Sequence, residues 1–319
     1  MQAILMAAAL AASNPSIPPT DKLMIHCSQL PATARNAAAG TVIHIWGECT
    51  NLTLSNLPNP VTVEAGSAMG RGAIIRHLYL LRAHNLTWRG GIIETSPNAA
   101  AGRALDMRSS NNVTIDGVWF RNALRGFYGF SSQNLTLKNS RFTQIRVDGV
   151  NLVSIRKSRV LNNFFTEFNP RDQECTWPDG TVTFRISQRD CTRNGGVWRD
   201  GDHSDGIQMW GESEDILVQG NKMFFPWEGW AQGINNFGGY AHAFRISVIG
   251  NDVRTDHSNG ITFGRCQQCL IRDNFIGKAT DRAPWPVRLT IQEGDVIACN
   301  NEQPDARQHL RVGHQPCDD

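Results

Sequence analysis

The chain has 319 residues, 40% of them hydrophobic, enough to bury a large core. Its 31 Lys and Arg against 29 Asp and Glu leave a net charge of +2, which argues against a nucleic-acid partner and requires any polyanion to be held locally. No apolar run approaches the roughly 18 residues that cross a bilayer, so no membrane insertion is expected.

Residues 1–20 open with MQAILMAAALAASNPS, an apolar and small-residue stretch that reads either as a signal or leader segment, although it lacks a basic n-region, or as an N-terminal cap helix. Residues 21–319 read as a single domain. The eight cysteines fall as near neighbours, Cys27 with Cys49, Cys175 with Cys191, Cys266 with Cys269 and Cys299 with Cys317. Proximity suggests those pairings among the 105 that eight cysteines allow. An even count at loop-like spacing favours an oxidising compartment and a secreted or periplasmic protein. In CQQC, three extended residues span about 10 Å while a disulfide needs Cα atoms within about 7 Å, so Cys266 and Cys269 join only if Gln267 and Gln268 turn.

From residue 102 the sequence repeats. Polar residues or glycines open short β-rich runs at GRALDMRSS, RGFYGFSS, DGVNLVS, DGIQMWG, QGINNFG and NGITFGR, and each is followed by a second run such as NVTIDGVWF, NLTLKNSRF or DILVQGNKMFF. Ile115 to Leu137 is 22 residues, Asn251 to Asn274 is 23, and Gly206 to Gly233 to Gly260 is 27 each time. Runs of β-branched and aromatic residues broken by Gly, Asn and Ser are strands. A unit this short is too small for a propeller blade and lacks the helix of a leucine-rich repeat, which leaves an all-β solenoid of stacked parallel strands. Asn163, Asn221, Asn251 and Asn274 recur at one place in the unit, where they would form a hydrogen-bonded ladder. The NLT and NVT triplets at Asn51, Asn85, Asn112 and Asn134 match the glycosylation sequon but read more simply as turn asparagines that open strands.

These coils with turn asparagines resemble the pectate-lyase-like right-handed parallel β-helix superfamily over roughly residues 41–303. The resemblance implies a polysaccharide lyase, glycoside hydrolase, uronate epimerase or tailspike depolymerase, and a fold does not choose among them.

Aligned on Gly149, Gly206, Gly233 and Gly260, the coils put Asp148, Asp205, Gln232 and Asn259 in one column. Arg146, His203, Trp230 and His257 fall two residues earlier, and Asn151, Gln208, Asn235 and Thr262 two residues after the glycines. Strand alternation predicts Ile207 and Met209 inward, with Gly206, Gln208 and Trp210 outward. Residues 166–203 interrupt the repeat with a disulfide-bearing loop that ends at this cluster as a cleft wall, since loops longer than about 15 residues are usually functional or disordered. PWEGWAQ, with Trp227 and Trp230, faces the same columns. Residues 20–40 and the tail 304–319 are expected to shield the two ends, which favours a monomer.

The leading expectation is a lyase that cleaves an acidic, uronate-containing polysaccharide by β-elimination. His203 would act as base, oriented by Asp202 or Asp205, with Asp148 and His257 as further catalytic candidates. Gln208, Asn235 and Asn151 would bind the substrate carboxylate, Arg146, Lys157 or Arg245 would offset its charge, and Trp210 and Trp230 would stack on sugar faces. No cofactor is required unless Asp148, Asp202 and Asp205 hold Ca²⁺ to neutralise the uronate. The alternatives are a glycoside hydrolase with Asp148 and Asp205 as its two carboxyls, a uronate C5-epimerase, and a non-catalytic carbohydrate-binding or structural β-helix. In the last, the aspartates only cap strands, His257 lies on a turn, the tryptophans pack against the loop, and Lys157 is a solvated lysine.

Overall fold

The computed structural model describes residues 23–66, 72–95, 102–172, 174–184, 187–226, 231–236, 242–308 and 312–317. Its strands form the expected parallel β-helix, each coil pairing in parallel with the next. On the face that carries the candidate site, Arg103–Arg108, Trp119–Phe130, Arg141–Val153, Asp205–Trp210, Gln232–Asn236, Asn259–Arg272 and Arg288–Cys299 stack in that order. The register aligns one inward row, Leu105, Phe127, Val150, Ile207, Ile234, Ile261 and Leu289, all buried. Each such side chain contributes about 1.5–3 kcal/mol by leaving water, so a one-residue slip of any strand is strongly opposed. A second inward row stacks Phe120, Phe142 and Phe165 with successive ring centroids 4.6 Å apart.

Polar ladders hold the turns. Asn163 donates its backbone N–H and its Nδ2 to Asn221 Oδ1, both at 3.0 Å, and the pattern repeats from Asn221 to Asn251 and from Asn251 to Asn274. Asn274 extends the ladder to Asn301, and Asn163 Oδ1 takes the N–H of Ser140. All of these asparagines are buried, so the ladder satisfies groups that water cannot reach. The sequon asparagines Asn51, Asn85, Asn112 and Asn134 adopt φ between 50° and 57°, a left-handed conformation that Asn tolerates. Asn112 Nδ2 donates to Asn85 Oδ1 at 2.9 Å on the outside of the same turn.

The four cysteine pairs join as expected. The CQQC pair closes with Cα atoms 6.0 Å apart because Gln268 takes φ 53° and the strand register shifts there. Helix Leu30–Asn36 buries Leu30 and Ala34 at one end. At the other, the Cys299–Cys317 bridge ties the tail, and Asn301 donates to Gly313 O. The interruption at 166–203 folds as a small antiparallel sheet, Val182–Phe184 and Val197–Arg199 flanking Glu174–Thr176, with helix Gln188–Arg193 joined to it by the Cys175–Cys191 bridge. Among the described residues no helix is long and apolar enough to cross a membrane.

One orientation differs from simple alternation. Gly206 faces inward: a Cβ there would lie 2.7 Å from the buried Met223 Sδ, and one at Gly149 would lie 2.8 Å from Phe165 and 2.7 Å from Gly206 O. Gly206 and Ile207 are therefore two successive inward positions, and the strand makes its corner between them. Only glycine leaves room for this approach of neighbouring backbones. The corner resets the parity, so Asp205 points to the same outer side as Gln208 and Trp210.

Candidate active site

The corner glycines create the site. In register one coil apart stand Arg103, Arg125, Asp148, Asp205 and Gln232, and Asn259 joins them by donating Nδ2 to Gln232 Oε1 at 2.9 Å. Beside this row run Asp106, Tyr128, Asn151, Gln208, Asn235 and Thr262. Asp148, Asp205, Gln208, Gln232 and Asn259 line one cleft of about 740 Å³ with Arg125, Val147, Gly201, Asp202, His203, Trp210 and His257.

Asp148 and Asp205 sit at the cleft floor, each only 1% exposed. Their surroundings differ. Asp148 Oδ2 accepts from Arg125 Nε at 2.9 Å and from Asn151 Nδ2 at 2.8 Å, while its Oδ1 has no hydrogen-bond partner among the described residues. Asp205 Oδ1 accepts a hydrogen bond from Asn235 Nδ2. Two further bonds fix these amides: Asn151 Nδ2 also donates to Gln208 Oε1 at 2.9 Å and Asn235 Nδ2 to Gln232 Oε1 at 3.2 Å. Burial raises the Asp148 carboxyl above its ordinary range, opposed by the Arg125 charge and the Asn151 hydrogen bond. Burial and then the neighbouring Asp148 charge push Asp205 well above it, opposed only by Asn235. Two adjacent carboxyls cannot both ionise cheaply, so Asp205 keeps the proton and Asp148, beside its guanidinium, ionises.

His257 forms part of the opposite wall. Its Nδ1 accepts the Asn259 backbone N–H at 3.0 Å, and burial, with the nearby His203, lowers it to about 4, so the neutral ring carries its hydrogen on Nε2. His203 lies on the rim with its side chain 73% exposed. Its nearest acidic partner is Asp200 at 3.9 Å, not the expected Asp202 or Asp205. Asp202 is committed elsewhere: Arg146 Nε lies 2.7 Å from its Oδ2, which also accepts the Arg171 backbone N–H at 2.8 Å. Arg146 and Asp202 thus pin the inserted loop to the coil, and Asp202 lines the cleft.

Asp148, Asp202 and Asp205 do not converge on a common point that would hold a metal ion. With Asp148 bound by Arg125 and Asp202 by Arg146, this set does not fit the Ca²⁺ expectation. Lys157 and Arg245 lie on strands Arg156–Leu161 and His242–Ile249, on the next face of the coil and outside the cleft lining, and Arg245 is paired with Glu214 and Asp215. Trp210 lines the cleft, 41% exposed, whereas Trp227 and Trp230 lie outside the described residues. Arg125 is the one cleft residue with a direct bond to the carboxyl pair that the sequence reading passed over. Its signal was present, because Arg125-Gly126 occupies the same repeat position as Asp148-Gly149 and Asp205-Gly206.

No family model matches the sequence, and no curated protein does. Solved structures similar to this chain include the A-module of the Azotobacter vinelandii mannuronan C-5 epimerase AlgE6, at 14% identity and TM-score 0.49, covering 86% of this chain and 72% of that one. A mannuronic acid specific polysaccharide family 6 lyase from human gut microbiota is 10% identical with TM-score 0.48, over 88% of this chain and 79% of that one. The Dettilon tailspike protein is 12% identical with TM-score 0.45, over 87% of this chain and 62% of that one, so the chain spans under two thirds of its length. Likeness at this level carries no argument about reaction or substrate.

Proposed function

We propose that the chain is a carbohydrate-active enzyme that cleaves a glycosidic bond in this cleft by acid–base hydrolysis, with Asp205 as the acid and Asp148 as its ionised partner. The observation that carries the reading is the register-paired Asp148 and Asp205 at the cleft floor, Asp148 beside Arg125 and Asp205 bonded by the Asn235 amide, with burial and its neighbour pushing Asp205 well above the usual carboxylate range. Two carboxyls whose surroundings push their proton affinities apart are what hydrolysis of an acetal uses. Asp205 donates its proton to the bridging oxygen as the C1–O bond breaks. The Asp148 carboxylate attacks C1, and water then releases the sugar as Asp205 takes back a proton. Attack by one carboxylate followed by water is the retaining course. The expected stereochemistry is retention. Trp210 offers a stacking face to a sugar. Four disulfides support action outside the reducing cytosol.

A second reading, β-elimination by a polysaccharide lyase, is favoured by the presence of His203 and Arg125 on the same cleft lining. Product analysis separates the two. Over a panel of pectate, alginate, bacterial exopolysaccharide and glycosaminoglycan, hydrolysis releases reducing ends with no ultraviolet absorbance from an unsaturated uronate, and His203→Ala keeps most of the activity. Unsaturated product, with loss of turnover in His203→Ala, would replace hydrolysis by elimination. A folded protein that binds without releasing ends would make it a binding module.

A further inference from the structure

The row that carries the carboxyl pair is not symmetric about it. Toward the C-terminal coils it continues in amides, Gln232 and Asn259. Toward the N-terminal coils it continues in guanidinium groups, Arg125 and then Arg103. Arg125 is matched by Asp148, but Arg103 and Arg108 share one carboxylate. Asp106 Oδ2 accepts from Arg103 Nη1 at 2.7 Å and from Arg108 Nη2 at 3.0 Å, and its Oδ1 accepts from Arg108 Nε at 2.9 Å. Two guanidinium groups on one carboxylate leave one positive charge over. The Arg103 Nε is buried with no hydrogen-bond partner among the described residues. The group is also built on a ring: Arg103 Cζ stands 3.7 Å over the Tyr128 ring, and Tyr79 is the register partner of Asp106 on the other side. Stacking and the shared carboxylate hold both guanidiniums in place, so a ligand need not order them. Arg108 keeps 40% of its side chain in solvent, so it can reach a ligand.

We infer that Arg103, Arg108 and Tyr128 form an anion-recognising subsite of the same groove, with Arg103 and Arg108 three coils from Asp205 on its N-terminal side, and that the substrate is a polysaccharide bearing a carboxylate or sulfate on a unit set back from the bond cleaved. Each coil advances about 4.8 Å, close to one sugar of an extended chain, so the charged unit lies about three sugars from the acid. Arg108 contributes a charge-assisted bond to the anion, beside the Arg103 guanidinium that stacks on Tyr128. This deepens the reading above and rests on it only for what happens at the cleaved bond.

The test is binding, not turnover. The Asp205→Asn protein is titrated calorimetrically with three hexasaccharides, of galacturonate, of chondroitin sulfate and of neutral maltose units. One of the two acidic probes is expected to bind at least tenfold tighter than maltohexaose, with an affinity that falls as salt rises. Arg108→Gln is expected to cost that probe about tenfold or more, the loss of one charged hydrogen bond, to leave the neutral probe unchanged, and to be partly restored in Arg108→Lys. Preference for the galacturonate probe assigns a carboxylate and preference for the sulfated one a sulfate. Equal binding of acidic and neutral probes, no binding of any, or acidic binding unmoved in a folded Arg108→Gln protein would overturn the subsite. Because no turnover is read, an active Asp205→Asn enzyme would sink the hydrolytic reading without touching this one.

Discussion

Asp205 and His257 face the same cleft with opposite linkage to pH. The native state holds a proton on Asp205 that the unfolded chain gives up at its ordinary value of 3.8, so between that value and the raised native one the folded protein binds more protons and loses stability as pH rises. For His257, lowered from 6.5 to about 4, the unfolded state binds more protons in that window. Stability is therefore lost as pH falls from 6.5 toward 4, by on the order of 3 kcal/mol. Denaturant unfolding of Asp205→Asn across pH is expected to lack the decline on the alkaline side, and His257→Gln to lack the acid loss. Unchanged slopes in either variant would contradict the assigned protonation. At this scale the sequence was legible in part. The column of Asp148 and Asp205 follows from the glycine repeat, but the outward placement of Gly206 was wrong, because a corner between two inward positions is a packing event that alternation alone does not encode. The same gap left His203 as the favoured base: local adjacency in DHSDG suggested a dyad with Asp202 or Asp205, whereas the fold turns the imidazole to the rim and gives Asp202 to Arg146.

At the scale of the strand and turn, the asparagine ladder does what helix caps do elsewhere, satisfying backbone donors where the chain leaves regular pairing. Asn221 is its second rung. It accepts the Asn163 N–H and donates Nδ2 to Val160 O at 2.9 Å. Asn221→Ala removes both bonds from a site without solvent and is expected to destabilise by about 2–5 kcal/mol, the sum over the groups left unsatisfied. Asn134→Ala, at an exposed turn, is expected to cost under about 1 kcal/mol. Equal melting temperatures for the two variants would contradict a structural ladder. This level was the most legible of the three. Four of the ladder asparagines and all four cysteine pairs were readable from spacing, because a solenoid converts a sequence period directly into a spatial neighbour. The fifth rung, Asn301, falls where the strand runs between it and Asn274 lose their periodic pattern.

The whole molecule is a rod of parallel rows, and the rows distribute the chemistry. The inward row holds the coils together. One outward row brings into line residues that are 57 apart in the chain, as with Asp148 and Asp205, and the inserted loop, anchored by the Arg146–Asp202 pair, walls that line at Asp202. A net charge of +2 hides this local order: composition required only that any polyanion be held locally, and Arg103 and Arg108 hold an unmatched positive charge. The most direct measurement is the rate of reducing-end release from the cleaved polysaccharide by the wild type, Asp205→Asn and Asp148→Asn, with melting temperatures taken on the same samples. Loss of a general acid is worth about 10²–10⁴ in rate, so both variants are expected to fall by at least a hundredfold while remaining folded. A folded Asp205→Asn or Asp148→Asn protein with activity within a few-fold of wild type would contradict the assignment of this carboxyl pair as the catalytic centre.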